Sequence, residues 1–182
     1  MRALPTSGWL RLAVITCAAL AVALALLARV LAPAPDRAQA LIGHVAPSFS
    51  ASAAQGGKTL AQPVSFDGRA AHPTLLVFFD TLCVHCLAGV QTARAVSQAP
   101  DQPPLHVMYI DAPGENAEIT GQYMARLRFD PPVLLDQGAR IASRYGVAYY
   151  PSFVLVDTQG VVRAVWTGAP TASEIRAAAA RE

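Results

Sequence analysis

Six consecutive residues, Thr74-Leu75-Leu76-Val77-Phe78-Phe79, leave few folds open to this chain. An amphipathic helix would break such a run with polar residues at a period near 3.6, and a half-solvated strand at a period of 2. After Thr74 there are none, and the run is rich in aromatic and β-branched side chains. It predicts a strand covered on both faces. Such a strand needs other elements above and below it, as in the layered α/β architectures. A short turn, Asp80-Thr81-Leu82, follows. Cys83-Val84-His85-Cys86 then opens a predicted helix from Val84 to about Ser97, with Leu87, Val90, Ala93 and Val96 at roughly helical spacing.

Downstream, strands and helices alternate. Leu105–Ile110 predicts a strand, and Glu115–Arg128 a helix that ends before Pro131. Val133–Leu135 is short and extended. Arg140–Tyr145 predicts a brief helix closed by Gly146. Ser152–Val156 and Val161–Trp166 form a hairpin across Asp157-Thr158-Gln159-Gly160. Thr171–Arg181 predicts a last helix, with Thr171 and Glu174 at capping-box spacing. Upstream, the stretch from Phe49 to Phe66 predicts a short hairpin around Gly56-Gly57. No internal repeat is present. The order is βαβ then ββα, an α/β sandwich with a central mixed sheet.

The N-terminal segment is of another kind. Only 14% of the 182 residues are charged while 53% are hydrophobic, against roughly 25% charged in ordinary soluble domains. Leu12–Ala28 supplies much of that imbalance, with no charge and no strong helix breaker. Arg2 and Arg11 precede it and Arg29 follows. A membrane span needs about 20 apolar residues, with a lower limit near 17. Trp9–Ala32 satisfies this if Arg11 and Arg29 snorkel. A cleaved signal has a shorter core of about 7–15 residues; the Ala38-Gln39-Ala40 cleavage pattern lies far beyond the run. The flanking arginines orient the N-terminus inward and the domain outward. The expected organisation is an anchor over 1–32, a linker over 33–40 and a folded domain over 41–182, with a cleaved, secreted form as the alternative. Beyond residue 40 the chain has ten basic and eleven acidic residues. A near-neutral domain gives no basis for nucleic-acid binding.

Three cysteines are too few for a disulfide-built scaffold. Cys17 sits inside the apolar run. Cys83 and Cys86 form a C-x-x-C pair, which an exported domain can hold as a disulfide. A structural zinc site needs four ligands, and His44, His72 and His106 lack ligand spacing. A purely structural disulfide closing so short a loop stabilises little. Haem attachment needs histidine after the second cysteine, where Leu87 stands. Redox chemistry leads. Cys83 at a helix start meets unpaired N–H groups and the positive dipole end, which stabilise a thiolate. Cys86, three residues on, shares its face and can resolve a mixed disulfide.

Four stretches carry a family resemblance. Gly43-His44-Val45-Ala46-Pro47-Ser48-Phe49 is similar to the opening shared with the peroxiredoxin/redoxin (AhpC/TSA) group. Leu75–Cys86 is similar to the strand and active-site segment of the thioredoxin superfamily, Phe129–Asp136 to an inserted segment, and Tyr145–Gly168 to the proline loop and hairpin. In this order, over about residues 41–181, the chain resembles the membrane-anchored extracytoplasmic TlpA/ResA-like thiol–disulfide oxidoreductases. The resemblance implies a thioredoxin-like α/β fold, a central mixed sheet flanked by helices, behind an N-terminal transmembrane helix. It implies a single-pass protein of a bacterial inner membrane, its monomeric domain facing the periplasm. Cys83 would be the attacking thiol and Cys86 the buried resolving thiol, with Val84 and His85 tuning the pair. Pro151 would be a cis-proline opposite the cysteines, and the Tyr150 backbone would pair with an extended substrate. Partners would be protein disulfides or dithiols and a membrane electron donor or acceptor; no cofactor or metal is implied.

Some positions depart from the family. Leu82 stands where an aromatic residue commonly precedes the first cysteine. Val77 replaces the buried acid of cytosolic thioredoxins, and Gly89 the glutamate of some anchored reductases. His85 resembles the disulfide-forming enzymes and isomerases; pairing with the Cys83 thiolate would stabilise the reduced form and make the couple more oxidising. Asp80 is expected to be a turn residue. Two alternatives are a thiol peroxidase, disfavoured by Asp80 at the position of an activating threonine, and a metal-binding or delivery module using Cys83, Cys86 and His85.

Overall fold

The computed structural model describes residues 8–31, 37–100, 103–114 and 116–181, with side chains of the first helix described from 13 to 24. The chain divides into two units, Met1–Pro35 and Asp36–Glu182. The first contains helix α1, Gly8–Leu31, of 24 residues. Its described side chains, Ala13 to Leu24, are exposed, free Cys17 among them. Among the described residues no helix is long and apolar enough to cross a membrane.

The second unit is a thioredoxin-like α/β sandwich. Its seven-stranded sheet uses β2 (Ala53–Gln55), β3 (Lys58–Thr59), β5 (Thr74–Phe79), β6 (His106–Asp111), β7 (Val133–Leu135), β8 (Ser152–Val156) and β9 (Val162–Thr167), in the order β3-β2-β7-β6-β5-β8-β9. β5 is parallel to β6 and antiparallel to β8, with every residue of β5 buried. The apolar run is therefore central, as its sequence predicts. β1 (Phe49–Ala51) and β4 (Val64–Phe66) pair separately as a two-stranded ribbon around the β2–β3 hairpin.

Alternation of side chains along β5 divides the core in two. Leu76 and Phe78 face Phe49, Phe66, Ile141 and Tyr145. Leu75, Val77 and Phe79 face Val90, Ala93, Tyr123 and Ile175 on the opposite side. That second layer comes from α2 (Cys86–Ser97), α3 (Ala117–Arg126) and α5 (Ala172–Ala179), while α4 (Arg140–Arg144) lies on the first. Ala38 is also in the first layer, and the Gln39 side chain donates to the Val165 carbonyl at 3.0 Å.

Helix ends differ from the sequence expectations by a few residues. α2 begins at Cys86 rather than Val84, because the Cys86 N–H donates to the Cys83 carbonyl at 3.1 Å and closes a tight turn first. Glu115, the expected start of the next helix, lies outside the described residues; Asn116 caps α3 by accepting from the Ile119 N–H at 3.0 Å. Thr171 and Glu174 form the expected capping box on α5.

The β8–β9 turn is held by Asp157, only 3% exposed. Its carboxylate accepts from the Gln159 and Val161 N–H groups, both at 2.8 Å, and pairs with Arg163 at 2.6 Å. Burial raises its pKa, but the Val161 hydrogen bond, Arg163 and the Gln159 hydrogen bond outweigh that and hold it below the ordinary value. A lowered folded pKa gives stability present above the unfolded value and lost as pH falls through the folded one. Thermal unfolding followed from pH 7 to pH 2 is expected to show less acid destabilisation in Asp157→Asn than in the unaltered protein. Parallel profiles would remove this role.

Candidate active site

The reactive pair stands where β5 gives way to α2. Asp80 ends the strand by accepting the Leu82 N–H on its side chain at 2.8 Å, and its carbonyl accepts the Cys83 N–H at 3.1 Å. Asp80 is a turn residue, as its place in the sequence suggests. The turn brings Cys83 and Cys86 into a disulfide with Cα atoms 5.3 Å apart. Cys83 is half-buried, whereas Cys86 is fully buried in the core layer with Val77, Phe79, Val90 and Phe153. One sulfur thus faces the surface and the other faces apolar side chains.

A second segment, 67 residues away in sequence, closes on the first. The Cys83 Sγ lies 3.6 Å from the Tyr150 carbonyl oxygen. The Tyr150–Pro151 peptide is cis. This loop is anchored at both ends: Ser152 Oγ donates to the Tyr149 carbonyl at 2.7 Å, and the Gly168 N–H donates to the Pro151 carbonyl at 2.8 Å. The fold therefore brings together Cys83, Cys86, Tyr150 and Pro151. Val84 and His85 stay exposed on the turn, with His85 at the N-cap of α2 and making no side-chain capping bond. Leu82 and Val84, on either side of Cys83, and Tyr149, next to Tyr150, are 82%, 75% and 71% exposed.

Buried acids at the ends of the neighbouring strands were not singled out by the sequence pattern. Asp111 ends β6 in register with Phe79 and accepts the Thr120 hydroxyl at 2.5 Å. Asp136 follows β7 and accepts the Ile141 and Ala142 N–H groups, both at 2.8 Å, at the start of α4. An acid directly after an apolar run, as in His106–Asp111 and Val133–Asp136, was the available signal. Burial raises the Tyr150 hydroxyl pKa, and the charges of Asp136, Asp80 and Asp111 raise it further. Burial, Asp111 and Asp80 likewise push Tyr123 up to about 12. Neither phenol ionises near neutral pH. Among the described residues, no three His, Cys, Asp or Glu side chains gather as metal ligands.

Known structures share this fold. A secreted Mycobacterium tuberculosis disulfide oxidoreductase homologous to E. coli DsbE is 20% identical, with 82% of this chain and 100% of that one covered at a TM-score of 0.56. A putative thiol:disulfide interchange protein DsbE from Chlorobium tepidum is 18% identical, covering 75% and 96% at 0.61. Reduced 2-Cys peroxiredoxin from Plasmodium vivax is 17% identical, covering 78% and 95% at 0.62. No curated protein matches the sequence. The AhpC/TSA family model matches residues 42–165, from just before the Gly43–Phe49 opening into strand β9. By that match, the chain belongs to the AhpC/TSA family.

Proposed function

We propose that this protein is a thiol–disulfide oxidoreductase acting on protein disulfides or dithiols through Cys83 and Cys86. The supporting observation is the asymmetry of the pair: Cys83 is accessible and beside the Tyr150 carbonyl, while Cys86 is enclosed. In the reducing direction, the Cys83 thiolate attacks a substrate disulfide, whose S–S bond breaks as one substrate thiolate leaves. Cys86, after losing its proton, attacks the Cys83 sulfur. The mixed disulfide breaks, the second substrate sulfur leaves, and two electrons have passed to the substrate. Oxidation runs these steps in reverse. The substrate lies as an extended segment against the Tyr150 backbone, its apolar side chains covering Leu82, Val84 and Tyr149.

The same reading gives the chain an address. The uncharged Leu12–Ala28 sequence serves as a single-pass anchor in a bacterial inner membrane, the linker over 33–40 follows, and the domain over 41–182 faces the periplasm as a monomer. The Mycobacterium tuberculosis relative is itself described as secreted. A membrane donor or acceptor turns the cysteine pair over. His85 tunes the couple toward oxidation by stabilising the Cys83 thiolate.

The test is reduction of insulin by the dithiol form, run beside hydrogen peroxide consumption. Rapid insulin reduction with negligible peroxide loss supports the reading; the opposite pattern makes the protein a peroxidase. A glutathione titration extends it to His85. His85→Pro is expected to lower the reduction potential, because it removes the histidine at a position whose φ of −76° proline can adopt. An unchanged or higher potential would remove histidine as the tuning group.

A further inference from the structure

Helix α2 meets the proline loop at a residue with no side chain. Gly89 is buried, one turn beyond Cys86. A Cβ at this position would stand 3.0 Å from Phe153 Cζ, 3.3 Å from Pro151 Cγ and 3.4 Å from Phe153 Cε2. Side-chain carbons in ordinary contact stay about 3.5–4.0 Å apart, so something would have to move. Phe153 has little room to do so. It is fully buried in β8, in register with Val77 on one side and Trp166 on the other. The Pro151 ring is the other neighbour, and it belongs to the loop that holds Tyr150 against Cys83.

Glycine is a poor choice here by local criteria. In a helix interior alanine is the better former, and glycine adds backbone freedom to the unfolded chain. Gly89 is also absent from the glycines with positive φ, so its backbone does not require glycine. Close packing is the remaining reason for it. The contact also joins the two halves of the site: Gly89 is on the cysteine helix, and Pro151 follows the residue whose carbonyl oxygen lies 3.6 Å from the Cys83 sulfur.

Resting on the exchange reading above, we infer that Gly89 is a positioning residue whose missing Cβ sets the gap between the cysteine helix and the proline loop. It touches neither the reacting sulfurs nor the substrate. A methyl group at 89 pushes Pro151 outward by a few tenths of an ångström, and Tyr150 moves with it. An extended substrate then pairs less well with the Tyr150 backbone, and its binding weakens. Backbone pairing lost equally from the bound substrate and the transition state raises KM and leaves kcat.

The experiment compares the unaltered protein, Gly89→Ala and Gly89→Ala/Phe153→Leu in insulin reduction. Gly89→Ala is expected to raise KM about tenfold with kcat nearly unchanged. The paired variant is expected to recover most of the KM, because leucine lacks the ring atoms that meet the new methyl group. Alkylation of Cys83 by iodoacetamide needs no proline loop and should proceed at the same rate in all three dithiol proteins. An unchanged KM in folded Gly89→Ala overturns the inference, as does a paired variant that recovers nothing. If Gly89→Ala does not fold, the paired variant must restore both the fold and exchange, and its failure is equally decisive. No exchange by the unaltered protein would instead sink the oxidoreductase reading, and this inference with it.

Discussion

Serine at position 83 is expected to end exchange, leaving insulin reduction at the background rate. A serine hydroxyl in place of the thiol supplies no sulfur to attack a disulfide, and Cys86 is too deeply buried to take over. Its enclosure by Val77, Phe79, Val90 and Phe153 bars a protein substrate from reaching it first. Cys86→Ser is expected to behave differently. Cys83 would still attack, but nothing would displace the substrate, so a covalent partner would accumulate at about one per chain. Nonreducing electrophoresis with mass spectrometry reads both results. Full insulin reduction by Cys83→Ser would sink the mechanism, and trapped partners on Cys83→Ser rather than Cys86→Ser would reverse the roles of the two cysteines.

The second large effect is expected away from the sulfurs. Gly114 lies in the connection between β6 and α3 with φ of 82°. A Cβ there would overlap the Asp136 carbonyl and the Gln137 backbone nitrogen. Both objections apply together in Gly114→Ala. Left-handed backbone costs a residue with a side chain roughly 1–2 kcal/mol, and forced overpacking costs about 1–3 kcal/mol more. A total of roughly 2–5 kcal/mol is a large share of a stability that is typically about 5–15 kcal/mol. The damage would also spread, because Asp136 caps α4 through two hydrogen bonds. Urea unfolding of Gly114→Ala should show the midpoint fall sharply; a loss under about 1 kcal/mol would mean the two loops can separate freely.

The parts readable from sequence have short-range causes. Thr74–Phe79 declares its burial because both faces lack polar residues, and Thr171 with Glu174 declares a cap because the partners are three residues apart. Cys83 and Cys86 are legible for the same reason. Tyr150 and Pro151 are a different case. Their meeting with Cys83 depends on β8 lying next to β5, which no local spacing encodes, and the family resemblance supplied it. The β1–β4 ribbon leaves no local signal, because its strands are only three residues long and enclose another hairpin. Helical spacing puts the start of α2 two residues early, because Val84 and His85 belong to a turn that the Cys83 carbonyl closes. In the sequence Gly89 stands out only as an absent glutamate; its packing against Phe153 and Pro151 spans more than sixty residues of sequence. Asp111 and Asp136 carry no local mark of burial, since burial of an acid depends on what later folds over it.

One further property follows from how the sheet ends. At one side β3 is only two residues long and carries Lys58. At the other, the outer rim of β9 is already occupied. Gly43 donates to the Val162 carbonyl at 2.8 Å, Val162 donates to the His44 carbonyl at 2.9 Å, and Gln39 reaches the Val165 carbonyl. Unpaired strand rims are where chains stack into aggregates. Here one rim is too short to template another strand, and the other is covered at Val162 and Val165 by residues 39–44 of the same domain. Under the proposed exchange activity, extended backbone is offered to a substrate at Tyr150 alone, while the sides of the sheet give little invitation to fibre growth.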